Sequence, residues 1–134
     1  MNIKDLVFTR KNLHFNKGDT IFKERDEGEE MYFIDSGEIQ VVKTLGDVDV
    51  NIASLSPGDF FGEMALITGS KRSTSAIAVT DCSLHVMDKE TFKSNITNNR
   101  DFDNRLLVSL AHRLEKKDLS FAILFEELSK STQP

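Results

Sequence analysis

The sequence predicts a mainly β protein with added helices: a jelly-roll-like β-roll of about eight strands, a short helix within it and a long C-terminal helix. Two observations predict this class. Between residues 13 and 87, short apolar clusters typical of strands are separated by glycines at positions 18, 28, 37, 46, 58 and 62. From residue 101 to about 130 there is neither glycine nor proline, and apolar residues recur at spacings of three and four.

The length and charge of the chain limit what it can be. Its 134 residues suffice for one domain, so we expect a single domain over 1–134, with the β-roll at about 13–87 and a helical segment at about 88–130. A net charge of −5 argues against nucleic acid or an acidic membrane as partner, because both require a basic face. No apolar stretch approaches membrane-spanning length, and we expect a cytoplasmic protein.

The strand region carries three early apolar clusters, at residues 21–22, 31–34 and 39–42. Residues 45–47 predict the turn of a hairpin, after which Val48, Val50 and Ile52 alternate with polar residues. This alternation predicts a strand with one buried and one solvated face. In a later strand, Cys82 shares a face with other apolar residues, which favours a buried thiol that acts as a small hydrophobe.

Two short helices are expected between and after these strands. Residues 63–68 can form about a turn and a half of helix, and Gly69 is placed to be its C-cap. After the last strand, Asp88 is a good N-cap for a short helix that contains Phe92.

The C-terminal helix carries two apolar stripes. The first is a seam interrupted at Lys117 and consists of Leu107, Leu110, Leu114, Phe121, Leu124 and Leu128. The second consists of Phe102, Leu106, Val108, Ile123 and Phe125. One stripe can pack on the β-roll while the other pairs with the same helix of another subunit, so we expect a homodimer.

The run FFGEMALITGSKRSTSA, residues 60–76, places one acid beside a cluster of anion-binding groups. Arg72 can direct two N–H groups at phosphate oxygens, Ser73 adds a hydroxyl, and the amides of residues 64–66 lie at a helix start. Glu63 would repel a phosphate, so it fits a ligand that also carries a neutral hydroxyl, such as a phosphorylated sugar. No nucleoside-triphosphate loop motif occurs. The alternative is a salt bridge between Glu63 and Arg72 that only closes the loop.

The strings FGEMAL (61–66) and RSTSAIA (72–78) resemble the phosphate-binding cassette of the cyclic nucleotide-binding domain family. The strings KGDTIFKE, MYFIDSGEIQV and LSPGDFFGE extend the resemblance upstream. It implies that Glu63 accepts a hydrogen bond from the ribose 2′-hydroxyl and that Arg72 neutralises the cyclic phosphate. The ligand-binding set that it implies is Gly62, Glu63, Met64, Ala65, Arg72, Ser73, Thr74, Lys117 and Asp118.

The chain departs from the family pattern at three positions. Lys71 stands where proline is frequent, Thr74 where a small alanine is usual, and Arg25 where a turn glycine is frequent. None of the three removes the charged pair, Glu63 and Arg72. The departures affect how tightly the loop packs and leave its charged groups in place.

The resemblance implies a regulatory domain in signal transduction. Its ligand would be 3′,5′-cyclic AMP, with cyclic GMP as second choice, and binding would reposition the C-terminal helix toward an unknown effector protein. The base is the least determined feature, since Ser73 suits either purine and Asp118 would suit guanine. The alternative is a nucleotide-independent interaction or dimerisation module that retains the fold.

Catalysis and a resident cofactor are not expected. The three histidines, His14, His85 and His112, show no metal-ligand spacing, and no nucleophile and base are paired in the sequence. We therefore expect neither an enzyme nor a metal site.

Overall fold

A computed structural model of the protein describes residues 11–112 and residue 115. The chain divides into two compact units, the first ending at Ser94 and the second beginning at Asn95. The first unit contains the strands and the second is helical in its described part.

Among the described residues, eight strands form two antiparallel sheets of four strands each. One sheet has the order β1-β8-β3-β6 and the other the order β2-β7-β4-β5. The mainly β class predicted from the sequence is confirmed. The strands are β1 (Asn12–Phe15), β2 (Thr20–Phe22), β3 (Glu30–Ser36), β4 (Ile39–Leu45), β5 (Val48–Leu55), β6 (Phe60–Phe61), β7 (Ser75–Ala78) and β8 (Cys82–Asp88).

The core of the first unit is built from alternate residues of both sheets, because successive side chains of a strand point to opposite faces. Cys82, Leu84 and Val86 of β8 lie on this face together, as the sequence predicted. Burial raises the pKa of the Cys82 thiol. The remaining buried members of the core are Tyr32, Ile34, Ile39, Phe61, Ala76 and Ala78.

The strand β5 is paired as predicted, but the prediction that one of its faces is buried is wrong. Val48 is 62% exposed, and Val50 and Ile52 are also exposed. The reason lies in the neighbouring strands. Strand β4 pairs with β7 only as far as Val42, whereas it pairs with β5 up to Leu45. The end of the β4–β5 hairpin therefore extends past β7, and β5 itself is the edge strand of its sheet.

Two turn positions show left-handed backbone for different reasons. Gly37 has φ +94°, and a side chain there would overlap the backbone oxygen of Asp81 and the sulfur of Cys82. Arg25 has φ +78° and is the one non-glycine residue with positive φ in the part of the chain that the structure describes. Arg25 stands where a turn glycine is frequent in the family that the sequence resembles. Its left-handed backbone explains why glycine suits the position.

The two short helices have the predicted termini. Helix α1 (Glu63–Thr68) ends at Gly69, whose φ of +72° is left-handed and whose N–H donates to the carbonyl of Ala65 at 2.9 Å. Helix α2 (Lys89–Asn98) contains the buried Phe92. It is capped by Asp88, whose Oδ1 accepts from the N–H of Thr91 at 2.8 Å, and this hydrogen bond lowers the pKa of the Asp88 carboxyl.

The second unit contains the start of the C-terminal helix, here α3, which is helical over residues 100–112. Phe102 and Leu106 are buried, whereas Leu107 is 67% exposed. Val108 is exposed as well, so its assignment to the stripe of Phe102 and Leu106 is wrong. Six residues beyond Phe102 it lies about 240° further round a helix of 3.6 residues per turn.

The remainder of the predicted seam, from Leu114 onward, lies outside the described residues. No helix among the described residues is long and apolar enough to span a membrane.

Alanine at Gly37 should destabilise the protein more than alanine at Gly18. Both glycines have positive φ, +94° and +91°, but among the described residues no heavy atom lies within 4 Å of a Cβ at Gly18. We expect Gly18→Ala to lower the free energy of unfolding by about 1 kcal/mol through backbone strain alone. Gly37→Ala should lose roughly 1–3 kcal/mol more, through overpacking against Asp81 and Cys82.

Urea denaturation of both variants measures this difference directly. Equal losses at the two positions would show that the space around Gly37 yields, and would contradict the prediction.

Candidate functional site

The site is built on the segment between β6 and β7. Gly62 leaves β6 with φ +85° and is followed at once by helix α1, so the chain reverses within a few residues. The first residue of this helix, Glu63, is fully buried at 0% exposure. Buried carboxylates are rare unless they are paired or hydrogen-bonded, which marks this position as one under a specific chemical constraint.

The second charged group of the segment, Arg72, is also buried, at 5% exposure. Its Nη1 donates to the carbonyl of Gly62 and its Nη2 to the carbonyl of Glu30, both at 2.6 Å. The guanidinium carbon lies 4.1 Å from the centre of the Phe22 ring, which is cation–π distance. These contacts hold the charged head of Arg72 between a loop, a strand and an aromatic ring.

One nitrogen of the guanidinium, Nε, is left without an acceptor within the described part of the chain. Among the described residues no group accepts a hydrogen bond from the buried Nε of Arg72. A buried N–H without an acceptor costs free energy, so such a donor indicates a place where a ligand or water supplies the missing acceptor.

Burial and the neighbouring side chains have opposite effects on the pKa of Arg72. Burial lowers the pKa of Arg72, while Tyr32, Glu30 and Glu63 act in the opposite direction. Burial also raises the pKa of Tyr32, as does the hydrogen bond that its hydroxyl donates to Glu30 Oε1 at 2.8 Å. Glu63 thus stabilises the positive charge of Arg72, and both side chains are buried. An anion that reaches this guanidinium meets a desolvated positive charge.

Gly28 gives the guanidinium its space. A Cβ at this position would overlap the Cβ of Ala65 and would lie 3.1 Å from both Cζ and Nε of Arg72. The backbone of Gly28 therefore borders the side of the guanidinium that carries the free Nε donor.

The structure brings together four of the predicted site residues: Gly62, Glu63, Ala65 and Arg72. Gly62 accepts from Arg72, and Ala65 and Arg72 both border Gly28. Ser73 and Thr74 follow Arg72, Ser73 exposed and Thr74 partly buried, and the carbonyl of Ser73 accepts from Lys43. The side chain of Met64 is 50% exposed. Lys117 and Asp118 lie outside the described residues.

Sequence reasoning missed the residues that hold Arg72 from other parts of the chain. These are Phe22, Gly28, Glu30 and Tyr32. The one local signal for them was a glycine, Gly28, set in the acid-rich turn DEGEE just before an apolar strand. The prediction from sequence is that Arg72 directs two N–H groups at a ligand. In the structure, backbone carbonyls accept from both terminal nitrogens, Nη1 and Nη2, which are called the fork nitrogens below.

The arrangement is suited to binding rather than to holding a metal. Within residues 11–112 and 115, no group of three or more His, Cys, Asp or Glu side chains is placed to bind a metal ion. A buried guanidinium with one free donor, set beside a buried carboxylate, can bind a ligand that presents both an anionic oxygen and a hydroxyl. The fold and the site together define a β-roll domain with a buried site whose chemistry suits a small anionic ligand.

Comparison with known proteins gives the family. The sequence profile of the cyclic nucleotide-binding domain matches residues 12–99. The cyclic AMP receptor protein of Thermus thermophilus is 36% identical over 115 residues, covering 84% of this chain and 53% of that protein. A cAMP-dependent protein kinase regulatory subunit of Colletotrichum orbiculare is 37% identical over 91 residues, covering 68% of this chain and 22% of that protein.

A comparison with solved structures leads to the same family as the two sequence relatives. The crystal structure of the Thermus thermophilus catabolite activator protein superposes with a TM-score of 0.78 at 33% identity, over 85% of this chain and 54% of that one. The chain belongs to the cyclic nucleotide-binding domain family, and the resemblance found in its sequence is confirmed. It spans about half the length of the Thermus relative that it matches.

Alanine at Gly28 should displace either Ala65 or Arg72. We expect Gly28→Ala to lower the free energy of unfolding by about 2 kcal/mol, because a new methyl group overpacks this contact. Ala65→Gly alone should cost about 1 kcal/mol through helix propensity. The double variant should be less destabilised than the sum, by roughly 1 kcal/mol or more, since the smaller residue restores the space.

Chemical denaturation of the three variants and the wild type completes this double-mutant cycle. Strictly additive losses would mean that positions 28 and 65 do not compete for one volume.

Proposed function

We propose that this domain is a cyclic nucleotide receptor that favours cyclic AMP over cyclic GMP and signals by repositioning its C-terminal helix. The observation that carries the proposal is the free, buried Nε donor of Arg72, whose positive charge the buried Glu63 stabilises. A cyclic phosphate supplies the acceptor that this donor lacks. The preference for cyclic AMP is supported by the two sequence relatives, which are a cyclic AMP receptor protein and a cAMP-dependent kinase subunit.

In the proposed complex each charged residue has one partner on the ligand. Arg72 donates from Nε to a phosphate oxygen while its fork nitrogens keep their carbonyl partners. Glu63 accepts from the ribose 2′-hydroxyl, which explains a buried acid next to a phosphate site. The backbone of Gly62, Met64 and Ala65 and the side chains of Ser73 and Thr74 complete the pocket.

A second candidate function has its own observation. Both fork nitrogens of Arg72 donate to carbonyls, so this arginine contributes to the fold before any ligand binds. That favours a nucleotide-independent interaction or dimerisation module in which the pocket serves only the structure. The two functions predict opposite results in a ligand titration.

Repositioning of the C-terminal helix would change a surface offered to a partner. We propose a second copy of the chain as one partner, through the seam from Leu107 to Leu128, and an effector protein as another. The 67% exposure of Leu107 supports an apolar surface that extends along this helix. We place Lys117 and Asp118 near the base of the nucleotide.

Replacing Arg72 should remove tight binding of cyclic AMP. Losing one partner of a desolvated charge pair costs roughly 2–5 kcal/mol, so we expect the affinity of Arg72→Ala to fall by at least about thirtyfold in calorimetry. Lys71→Ala is the matched control, because Lys71 is the adjacent cation but is 64% exposed. It should bind within about twofold of wild type.

Circular dichroism at the titration temperature confirms that each variant is folded. A folded Arg72→Ala protein with wild-type affinity would refute the receptor assignment, and a wild type that binds no cyclic nucleotide would support the second candidate.

Asp118 tests the choice of base. A carboxylate can accept two parallel hydrogen bonds from N1 and N2 of guanine but only one from the adenine amino group. We expect wild type to bind cyclic AMP more tightly than cyclic GMP, and Asp118→Ala to weaken cyclic GMP about tenfold more than cyclic AMP. Competition titrations of both nucleotides measure this, and an equal loss for the two ligands would leave Asp118 without a role in base choice.

The dimer is tested by placing charges in the seam. A buried unpaired charge is costly, so Leu114→Asp combined with Phe121→Asp should convert a dimer into a monomer in sedimentation velocity. A wild type that is already monomeric at high concentration would refute the dimer.

A further inference from the structure

The strand β4 sends one charged side chain to the segment that carries Arg72. The ammonium of Lys43 donates to Glu24 Oε1 at 2.7 Å and to the backbone carbonyl of Ser73 at 2.9 Å. Glu24 is only 19% exposed and Lys43 37%, so water screens this ion pair less than it screens a surface pair. Lys43 thereby joins the loop after β2 to the residue directly after Arg72.

Glu24 is anchored at three points. Its Oε2 accepts from the N–H of Thr44 at 3.2 Å, and its own N–H donates to the hydroxyl of Ser75 at 2.9 Å. The hydrogen bond from Lys43 lowers the pKa of the Glu24 carboxyl, and that from the Thr44 backbone lowers it further. The carboxylate is therefore held in its charged form by groups of β4.

Backbone hydrogen bonds continue the same contact on the other side. The N–H of Arg25 donates to the carbonyl of Arg72, and the N–H of Arg72 donates to the carbonyl of Asp26, both at 2.8 Å. Residues 24–26 thus run alongside residues 72–75 and fix the backbone of Arg72 in both directions. The ion pair of Glu24 and Lys43 closes one end of this short ladder.

We propose that Glu24 and Lys43 are a positioning pair for the ligand: by holding the carbonyl of Ser73, they set the backbone of Arg72 and so aim its free Nε donor. This inference rests on the proposed function, since it gives a ligand to that donor. Neither residue needs to touch the ligand. A charged hydrogen bond between two loops fixes the backbone of the segment that carries Arg72. It thereby fixes the direction of the Arg72 side chain, which ligand binding requires.

A second lysine–glutamate pair in the same segment provides the control. Lys71 lies 4.0 Å from Glu27, and the two side chains are 64% and 72% exposed. Exposed pairs of this kind contribute little to stability or geometry. Lys71→Met therefore removes the same charge one residue before Arg72 without removing a contact to the backbone of the segment.

The first experiment needs no ligand. We expect Lys43→Met to speed amide hydrogen exchange at Arg25 and Arg72, the two donors of the ladder, by about tenfold. The amide of the core residue Ile34, which donates to the carbonyl of Asp59, should be unchanged, and so should all three amides in Lys71→Met. Equal acceleration at Ile34 would show a general loss of stability, and no change at Arg25 and Arg72 would show that the pair fixes nothing; either result overturns the proposal.

The second experiment measures affinity for cyclic AMP by calorimetry. Lys43→Met should bind about tenfold more weakly than wild type, Lys43→Arg should restore most of the affinity, and Lys71→Met should match wild type. Wild-type affinity in Lys43→Met would overturn the positioning role even if hydrogen exchange changes. If wild type itself binds no cyclic nucleotide, the proposed function fails, while the exchange data still decide whether the pair fixes the backbone.

Discussion

The buried guanidinium of Arg72 imposes a constraint on much of the first unit. A charge taken out of water must be given hydrogen-bond acceptors and polarisable neighbours, or it destabilises the fold. Here the carbonyls of Gly62 and Glu30 accept from the fork and Phe22 lies against its face. Gly28 must lack a side chain because Ala65 and the guanidinium occupy the adjacent space. Residues far apart in sequence are therefore restricted by one side chain.

The two sheets make that arrangement possible. Phe22 of β2, Tyr32 of β3 and Phe61 of β6 come from both sheets and pack with ring centres 5.1–6.1 Å apart. Their cluster offers the cation the face of an aromatic ring, and Tyr32 remains polar at its tip through its hydrogen bond to Glu30. Core packing and the binding chemistry thus share the same side chains, so a change in the aromatic cluster affects both.

The sequence predicted the features that depend on local signals. The bounds of helix α1, the left-handed Gly69 and the cap at Asp88 follow from residue types within a few positions of each other. The two charged residues that the sequence singled out in one segment, Glu63 and Arg72, are both buried. The features it missed depend on contacts between distant segments. Lys43 meets Ser73 across 30 residues, and the exposure of Val48 depends on where β7 ends. Alternation in a single strand cannot report whether a neighbouring strand is present.

In the proposed complex the free Nε donor of Arg72 receives the ligand's phosphate. A crystal structure of the protein grown with cyclic AMP would show this contact directly. We expect a phosphate oxygen within about 3 Å of Nε of Arg72 and the ribose 2′-hydroxyl on the carboxylate of Glu63. The carbonyls of Gly62 and Glu30 should still accept from the Nη nitrogens of Arg72. A nucleotide bound elsewhere, or one whose phosphate makes no contact with Arg72, would contradict the proposed complex.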